Sequence, residues 1–319
     1  MRDFISKRKL EIAVSSVFFI IMGLFILANP VVFLNYRIYM AVFTTLPILI
    51  ILSTSMVFVI ANGEIDLSFP SIVGVSAWAF ASVVNAGVNP FLAMIIGVIA
   101  GSFCGFLNSL LITNLGLSSM VSTLGMNFLL RGFIMIVTNG KGIPLAFLRN
   151  TKIFSIFAGK IGIFPIQMLW AIGFVTMMWV LFYRHKFGGH LCYIGDNLMS
   201  AREMGININR VKTSIFLLMG AVSGFVGVLL CLINNQFWPT TGDGYLLIVL
   251  AATFLGGTPT WGGVGTIYGA IMGSLILSFL ETGIVSSGLT GFYTKFFFGL
   301  ILILALISHR FSGFNKKGK

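Results

Sequence analysis

Three stretches put ionisable or amide side chains where such groups are costly to keep. "ANGEIDLSFPS" (61–71) carries Asn62, Glu64 and Asp66 between two apolar runs. "TLGMNFLLRGF" (123–133) sets Asn127 and Arg131 four residues apart, on one face of a helix. Glu281 lies near the end of a third run. A charge at membrane depth marks either a solute or ion path or a structural pair. For Glu64 and Asp66 a hydrated turn is the simpler reading, with Ser68 as N-cap and Pro70 in the first turn of the next helix. For Arg131 a salt bridge or carbonyl clamp stands beside a pathway role. Catalytic patterns are missing. "GGTPTWGGVGT" (256–266) has the glycines of a phosphate loop but not its lysine. His185, His190 and His309 have no partner that suggests a base or a metal site. Cys104, Cys192 and Cys231 are too far apart for a metal motif or a disulfide framework. The expectation is a non-enzyme with no metal and no cofactor.

The elements that hold these residues are apolar helices. Hydrophobic residues make up 57% of the 319, charged residues 9%, and mean hydropathy is +1.02. A globular chain carries about a quarter charged residues, so this composition reads as an integral membrane protein. The net charge of +12 is scattered between apolar runs. It therefore reads as a set of topology signals in a lipid bilayer, not as a nucleic-acid surface. Ile12 to Ala28 reads as a retained first membrane helix, since Asn29-Pro30 makes a poor signal-peptide cleavage site. Further spans are expected at 38–61, 67–86, 91–112, 120–138, 163–183, 213–233, 246–257, 265–284 and 294–308. The fold class is thus an all-α polytopic membrane protein of about ten transmembrane helices, a single transmembrane domain over 1–319. The span at 246–257 is too short to cross comfortably and is expected to be bent or re-entrant.

Basic residues cluster at Arg2, Lys7, Arg8 and Lys9, within 184–212, and at Arg310, Lys316, Lys317 and Lys319, which favours cytoplasmic termini. The loop at 139–162 is then extracytoplasmic, although Lys141, Arg149, Lys152 and Lys160 run against the rule. "GVIAGSFCGFLNSLLI" (97–112) and "GTIYGAIMGSLILSFL" (265–280) share a four-residue glycine spacing: Gly97, Gly101 and Gly105, then Gly265, Gly269 and Gly273. Such stripes let another backbone approach. Their places in the chain are consistent with two inverted repeats, helices 2–5 and 7–10; shared use of a common packing motif explains them equally well.

The segment 184–212 looks soluble. In "YIGDNLMSAREMGININRVK" (193–212), Asp196 or Asn197 can cap a short helix, Ser200 and Glu203 can form a second capping pair, and Gly205 can end it. Leu198, Ala201 and Gly205 are expected to share a face that lies against a partner, with Arg202 and Glu203 pointing elsewhere.

Three stretches together resemble the permease subunits of monosaccharide-type ATP-binding-cassette importers, the ribose, xylose and galactose group. "GEIDLSFPS" resembles that family's Gly-[Gly/Glu]-Ile-Asp-Leu-Ser-x-Gly-Ser. Gly205-Ile206-Asn207 with Arg210 and Lys212 resembles its Gly-Ile-x-Val-x-Arg-x-Lys. "LGGTPTWGGVGTIYGAIMGSLIL" resembles its Gly-Gly-x4-Gly-Gly-x-Gly-Thr signature. Pro70, Ser200, Met204, Gly189-His190 and Glu281 depart from the family pattern. The resemblance implies a type II permease architecture, like that of vitamin B12 importers. It implies a second permease subunit, the same or a sister chain, and an extracytoplasmic sugar-binding protein. It also implies cytoplasmic ATPase subunits that act on ATP in this chain's stead. Asp196–Gly205 would be the coupling helix that fits a groove on the ATPase, and the chain would sit in a bacterial or archaeal inner membrane. An ion-coupled secondary transporter using Glu64, Asp66 or Glu281, and a membrane scaffold, are the alternatives.

Overall fold

The computed structural model describes residues 9–288 and 290–314. Arg2, Lys7, Arg8, Lys316, Lys317 and Lys319, which carry much of the orientation argument, lie outside the described residues. The chain opens with α1 (Lys9–Ala28), a single turn α2 (Pro30–Phe33), α3 (Tyr36–Ala61), α4 (Phe69–Asn85), α5 (Pro90–Thr113) and α6 (Ser119–Thr138). A connecting region follows, with β1 (Ile143–Pro144), a 3-10 turn, α7 (Lys152–Phe157), β2 (Lys160–Ile161) and β3 (Phe164–Pro165). Then come α8 (Gln167–Tyr183), α9 (Lys186–Asp196), α10 (Leu198–Glu203), α11 (Ile208–Asn234), β4 (Gln236–Phe237), α12 (Tyr245–Leu255), α13 (Ile267–Ser286) and α14 (Phe292–Phe314).

A helix stands at each of the expected membrane stretches. Six are long and apolar enough to cross a bilayer: α1, α3, α5, α6, α11 and α13. The α8–α9 pair, bent by 65° at its break, makes a seventh if it counts as one span. α4 and α8, with 17 residues each, and α12, with 11, fall short of that length. The connecting region is more ordered than a plain loop. β1 pairs antiparallel with β4 and β2 with β3, while Leu145, Leu148, Ile153 and Phe157 are buried. Two-residue ladders leave no periodic signal, so an all-α reading misses them.

Burial runs opposite to that of a soluble protein. α3 is enclosed almost without interruption from Leu46 to Ala61, while Phe19, Ile20, Leu24 and Leu27 of α1 face outward. Apolar side chains on the outer surface suit a hydrocarbon solvent. Helices then have little hydrophobic reason to associate, and close packing must hold them together. The glycine stripes supply it. A Cβ on Gly101 would lie 2.5 Å from the Gly220 carbonyl oxygen, and one on Gly105 would lie 2.2 Å from that of Phe216, so α5 and α11 cross with backbones touching. On α13 a Cβ on Gly269 would meet the Gly256 oxygen at 1.8 Å and one on Gly273 the Ala252 oxygen at 2.1 Å, which seats α13 against α12. Gly97 faces the Ser76 carbonyl, and Gly265, just ahead of α13, meets the side chains of Val57 and Phe182.

Candidate coupling site and polar cleft

In the turn 62–68 between α3 and α4, Asn62, Asp66 and Ser68 are buried, contrary to the hydrated-turn expectation, while Gly63 is exposed. Asp66 is fully buried. Ser68 occupies the N-cap position of α4 but makes no side-chain cap bond. Instead, Asp66 Oδ1 accepts from the Ser68 N–H (2.8 Å) and hydroxyl (2.6 Å), and Asn108 Nδ2 donates to the Ser68 Oγ (2.7 Å). Burial raises the Asp66 carboxyl above its ordinary range, against those hydrogen bonds, which pull it down. Glu64 is ion-paired with Lys212 at the base of α11, both side chains mostly buried. Asn62 is buried, and its side-chain amide makes no hydrogen bond among the described residues. The sequence named Glu64 and Lys212 separately; a separation of 148 positions conceals the pair.

The first and third recognisable stretches meet the end of α9 beside this turn. The Gly263 N–H donates to the Ala61 carbonyl at 2.8 Å. A Cβ on Gly195, in the last turn of α9, would lie 2.1 Å from that same Ala61 oxygen and 2.6 Å from Gly263 N. One on Gly262 would lie 2.9 Å from Gly63 Cα and 3.0 Å from the Gly195 oxygen, and one on Gly263 would lie 3.0 Å from the Asp196 Cβ. Three backbones, from α3–α4, α9–α10 and α12–α13, thus touch at one joint, with glycine on each side of it.

Beyond the joint, α10 has a single N-cap. The Asn197 Oδ1 accepts from the N–H groups of Met199 (3.0 Å) and Ser200 (3.1 Å). Asp196 ends α9 instead, and Ser200 is inside the helix, so the expected Ser200–Glu203 capping pair does not form. At the C-terminus, Gly205 has φ +76°, its N–H donates to the Arg202 carbonyl (2.9 Å), and the Ile206 N–H reaches the Ala201 carbonyl (3.1 Å). Those two bonds are the Schellman pattern. Ala201 and Ile206 are buried within the chain, so Ala201 does not share an outward face with Leu198. The side turned outward presents Leu198, Met199, Arg202, Glu203 and Met204. The two methionines were not singled out from the sequence, although flexible apolar side chains on a short exposed helix are a recognition signal.

α6 carries a polar stripe at every fourth residue. Ser119 Oγ accepts from Ile65 N–H (3.2 Å), Thr123 Oγ1 accepts from Leu67 N–H (2.9 Å), and Asn127 Oδ1 accepts from the Ser71 hydroxyl (2.5 Å). Arg131 completes it, ion-paired with Asp243 and donating to the carbonyls of Pro239, Thr241 and Pro70. Both structural readings of Arg131, salt bridge and carbonyl clamp, are therefore present together. Burial raises the Asp243 carboxyl and the guanidinium pulls it back down. This clamp holds 239–243 just before α12. Gly244 and Tyr245 follow and help line a cleft of about 710 Å³, whose walls are largely apolar (Ile38, Leu49, Ile248, Val285 and Phe298) with Thr45, Ser278, Glu281, Thr282 and Ser286 among them. Among the described residues no group of histidine, cysteine and carboxylate side chains could hold a metal ion.

These features define a multi-pass helical membrane protein with a close-packed core, a capped exposed helix and a cleft that carries an unpaired carboxylate among the described residues. The chain belongs to the family described as branched-chain amino acid transport system / permease component, whose model matches residues 38–306. Among curated relatives it is 30% identical over 258 residues to the ribose import permease protein of Escherichia coli (strain K12), covering 81% of this chain and 80% of that one. It is 32% identical over 262 residues to the ribose import permease protein of Bacillus subtilis (strain 168), covering 82% and 80%. It is 31% identical over 284 residues to an autoinducer 2 import system permease protein of Yersinia pseudotuberculosis, covering 86% and 78%. No solved structure matches. The resemblance to monosaccharide-type importer permeases, drawn from three stretches, is borne out.

Proposed function

We propose that this chain is the membrane-spanning permease of an ATP-binding-cassette importer for a monosaccharide or related small polar solute. The observation that carries this reading is the glycine joint, where the α9–α10 segment meets the end of α3 and the α12–α13 loop backbone to backbone. Force applied to α10 has no loose side chain in which to dissipate before it reaches the membrane helices. The segment 184–212 is then the cytoplasmic coupling element, and Asp196–Gly205 docks on an ATPase subunit through the outward face of α10. Two permease subunits, identical or sister chains, complete the path. A soluble binding protein delivers the solute to 139–162, where Lys141, Arg149, Lys152 and Lys160 are all exposed and would attract an acidic surface. ATP acts on the partner, and this chain needs no cofactor of its own.

In this reading the ten apolar stretches make a type II arrangement of ten crossings with both termini cytoplasmic. Their packing supports the inverted repeat: α5 packs on α11 as α13 packs on α3, and α4 packs on α5 and α6 as α12 packs on α13 and α14. The test is capture of the ATPase subunit encoded beside this gene. Met199→Asp with Met204→Asp should abolish capture at unchanged membrane level, since both side chains are exposed and hold nothing else. Capture equal to wild type would remove α10 from the interface. No capture by either protein would favour the ion-coupled reading.

A further inference from the structure

We propose that Glu64 and Lys212 are positioning residues of the coupling step: their ion pair closes a clasp that makes the coupling segment and the α3–α4 turn move as one body. This rests on the permease reading above and adds where the motion of α10 enters the membrane helices.

The coupling segment is held to that turn at both of its ends. At the front, Gly195 and the Gly263 N–H meet the Ala61 carbonyl. At the back, Lys212 of α11 is ion-paired with Glu64. Little slack separates these two anchors. Asn197 caps the start of α10, and the Gly205 and Ile206 N–H groups close its end. The Asn207 Oδ1 then accepts from the Arg210 N–H (3.0 Å) and starts α11, whose second turn carries Lys212. The receiving turn is fixed in the same way. Gly63, at φ +82°, ends α3; its N–H donates to the Ile60 carbonyl (2.9 Å) and the Glu64 N–H to that of Val59 (3.1 Å). That is the Schellman closure that also ends α10.

An ion pair is a poor source of stability at this place. The side chains of Lys212 and Glu64 are 15% and 12% exposed, so both charges have lost most of their water. Attraction between such charges roughly offsets that loss, and the best-attested use of a buried pair is to fix one register. Held in register with Lys212, the turn passes displacement on through its backbone. The Ile65 N–H is bound by Ser119 and the Leu67 N–H by Thr123, both on α6. A push on α10 therefore reaches α6 through two anchors. With the back anchor open, the segment pivots about the glycine joint and the turn stays behind.

The test replaces the two charges with a covalent tie. In a Cys192→Ser background, with Cys104 and Cys231 buried, Glu64→Cys and Lys212→Cys are combined and joined by a short bifunctional methanethiosulfonate reagent. Proteoliposomes hold the permease with the neighbouring ATPase and binding protein, and labelled ribose, galactose and xylose are supplied together. Uptake per ATP hydrolysed should fall about tenfold in the open cysteine pair, within the usual range for coupling between two sites. The cross-link should restore most of it, and ATPase capture should stay at the wild-type level throughout. Glu64→Gln, which keeps the size of the side chain, is the second variant and should lower the same ratio with capture intact. A pair that only supports the fold predicts less inserted protein at an unchanged ratio, which would overturn the clasp. So would a cross-link that fails to restore uptake, or capture lost along with the pair. Absence of capture by the wild-type chain would overturn the ATP-driven reading and the clasp together, so the two failures are told apart.

Discussion

Gly195→Ala is expected to leave the protein inserted in the membrane yet cut solute uptake by tenfold or more. Two effects of the added methyl oppose one another. Gly195 has an ordinary helical φ, so alanine should favour α9 by about 1 kcal/mol on propensity. Against that, the methyl would lie 2.1 Å from the Ala61 oxygen and 2.6 Å from Gly263 N, both of them backbone atoms. Neither can swing away as the tip of a side chain can, so the joint must open and the Gly263–Ala61 hydrogen bond must stretch. Overpacking of this kind costs about 1–3 kcal/mol, and the steric term wins. More damaging than the energy is the gap it leaves between α9–α10 and the α12–α13 loop. Gly189→Ala on the same helix is the control, because its methyl would meet only the Tyr193 ring at 3.8 Å, an ordinary contact. Uptake should fall with the first variant and not with the second. Equal uptake by both, or equal loss, would mean that the joint transmits nothing.

Arg131→Ala carries the second large effect, this time on stability. The guanidinium holds Asp243 and three backbone carbonyls, from Pro239, Thr241 and Pro70. Its side chain is 16% exposed and that of Asp243 is 51% exposed. The pair is therefore worth less than a fully buried one, and much of the loss comes from the orphaned carbonyls. A cost of about 2–3 kcal/mol is expected, seen as a lower melting temperature of the detergent-solubilised protein. Arg131→Lys should fall between, since one ammonium cannot fork to Asp243 and the Pro70 carbonyl together. Asp243→Asn, which leaves the carbonyls held, should cost the least of the three. If Asp243→Asn proved as damaging as Arg131→Ala, the ion pair rather than the clamp would dominate.

Much of the framework was legible in the sequence because the bilayer imposes it. Apolar stretches of about twenty residues are hard to miss, and each was found where a helix now stands. The shortness of α12 was legible too, since Gly256-Gly257 stops it, Gly257 at φ +90°. Asn127 and Arg131 were correctly placed on one face. Ser119 and Thr123 extend that face but are diluted by hydroxyls elsewhere, so the stripe was only half seen. What was not legible is long-range. Asp243 is more than a hundred residues from Arg131, and nothing local pairs them. The reading of α10 failed for a related reason. Three-and-four spacing put Leu198, Ala201 and Gly205 on one side, but a six-residue helix rotates about wherever its anchors pack. Here Ala201 and Ile206 are those anchors. A hydrated turn at Asp66 was the natural reading of charged residues between helices, and only the packing of Asn108 and Thr123 around it shows that Asp66 is buried.

The most direct measurement is uptake into proteoliposomes holding this chain with the ATPase subunit encoded beside it, supplied outside with the neighbouring binding protein and labelled ribose, galactose or xylose. An ATP-driven importer predicts accumulation of at least one of these only when ATP, the ATPase and the binding protein are all present. Accumulation by this chain alone, driven by an imposed proton or sodium gradient, would contradict the account.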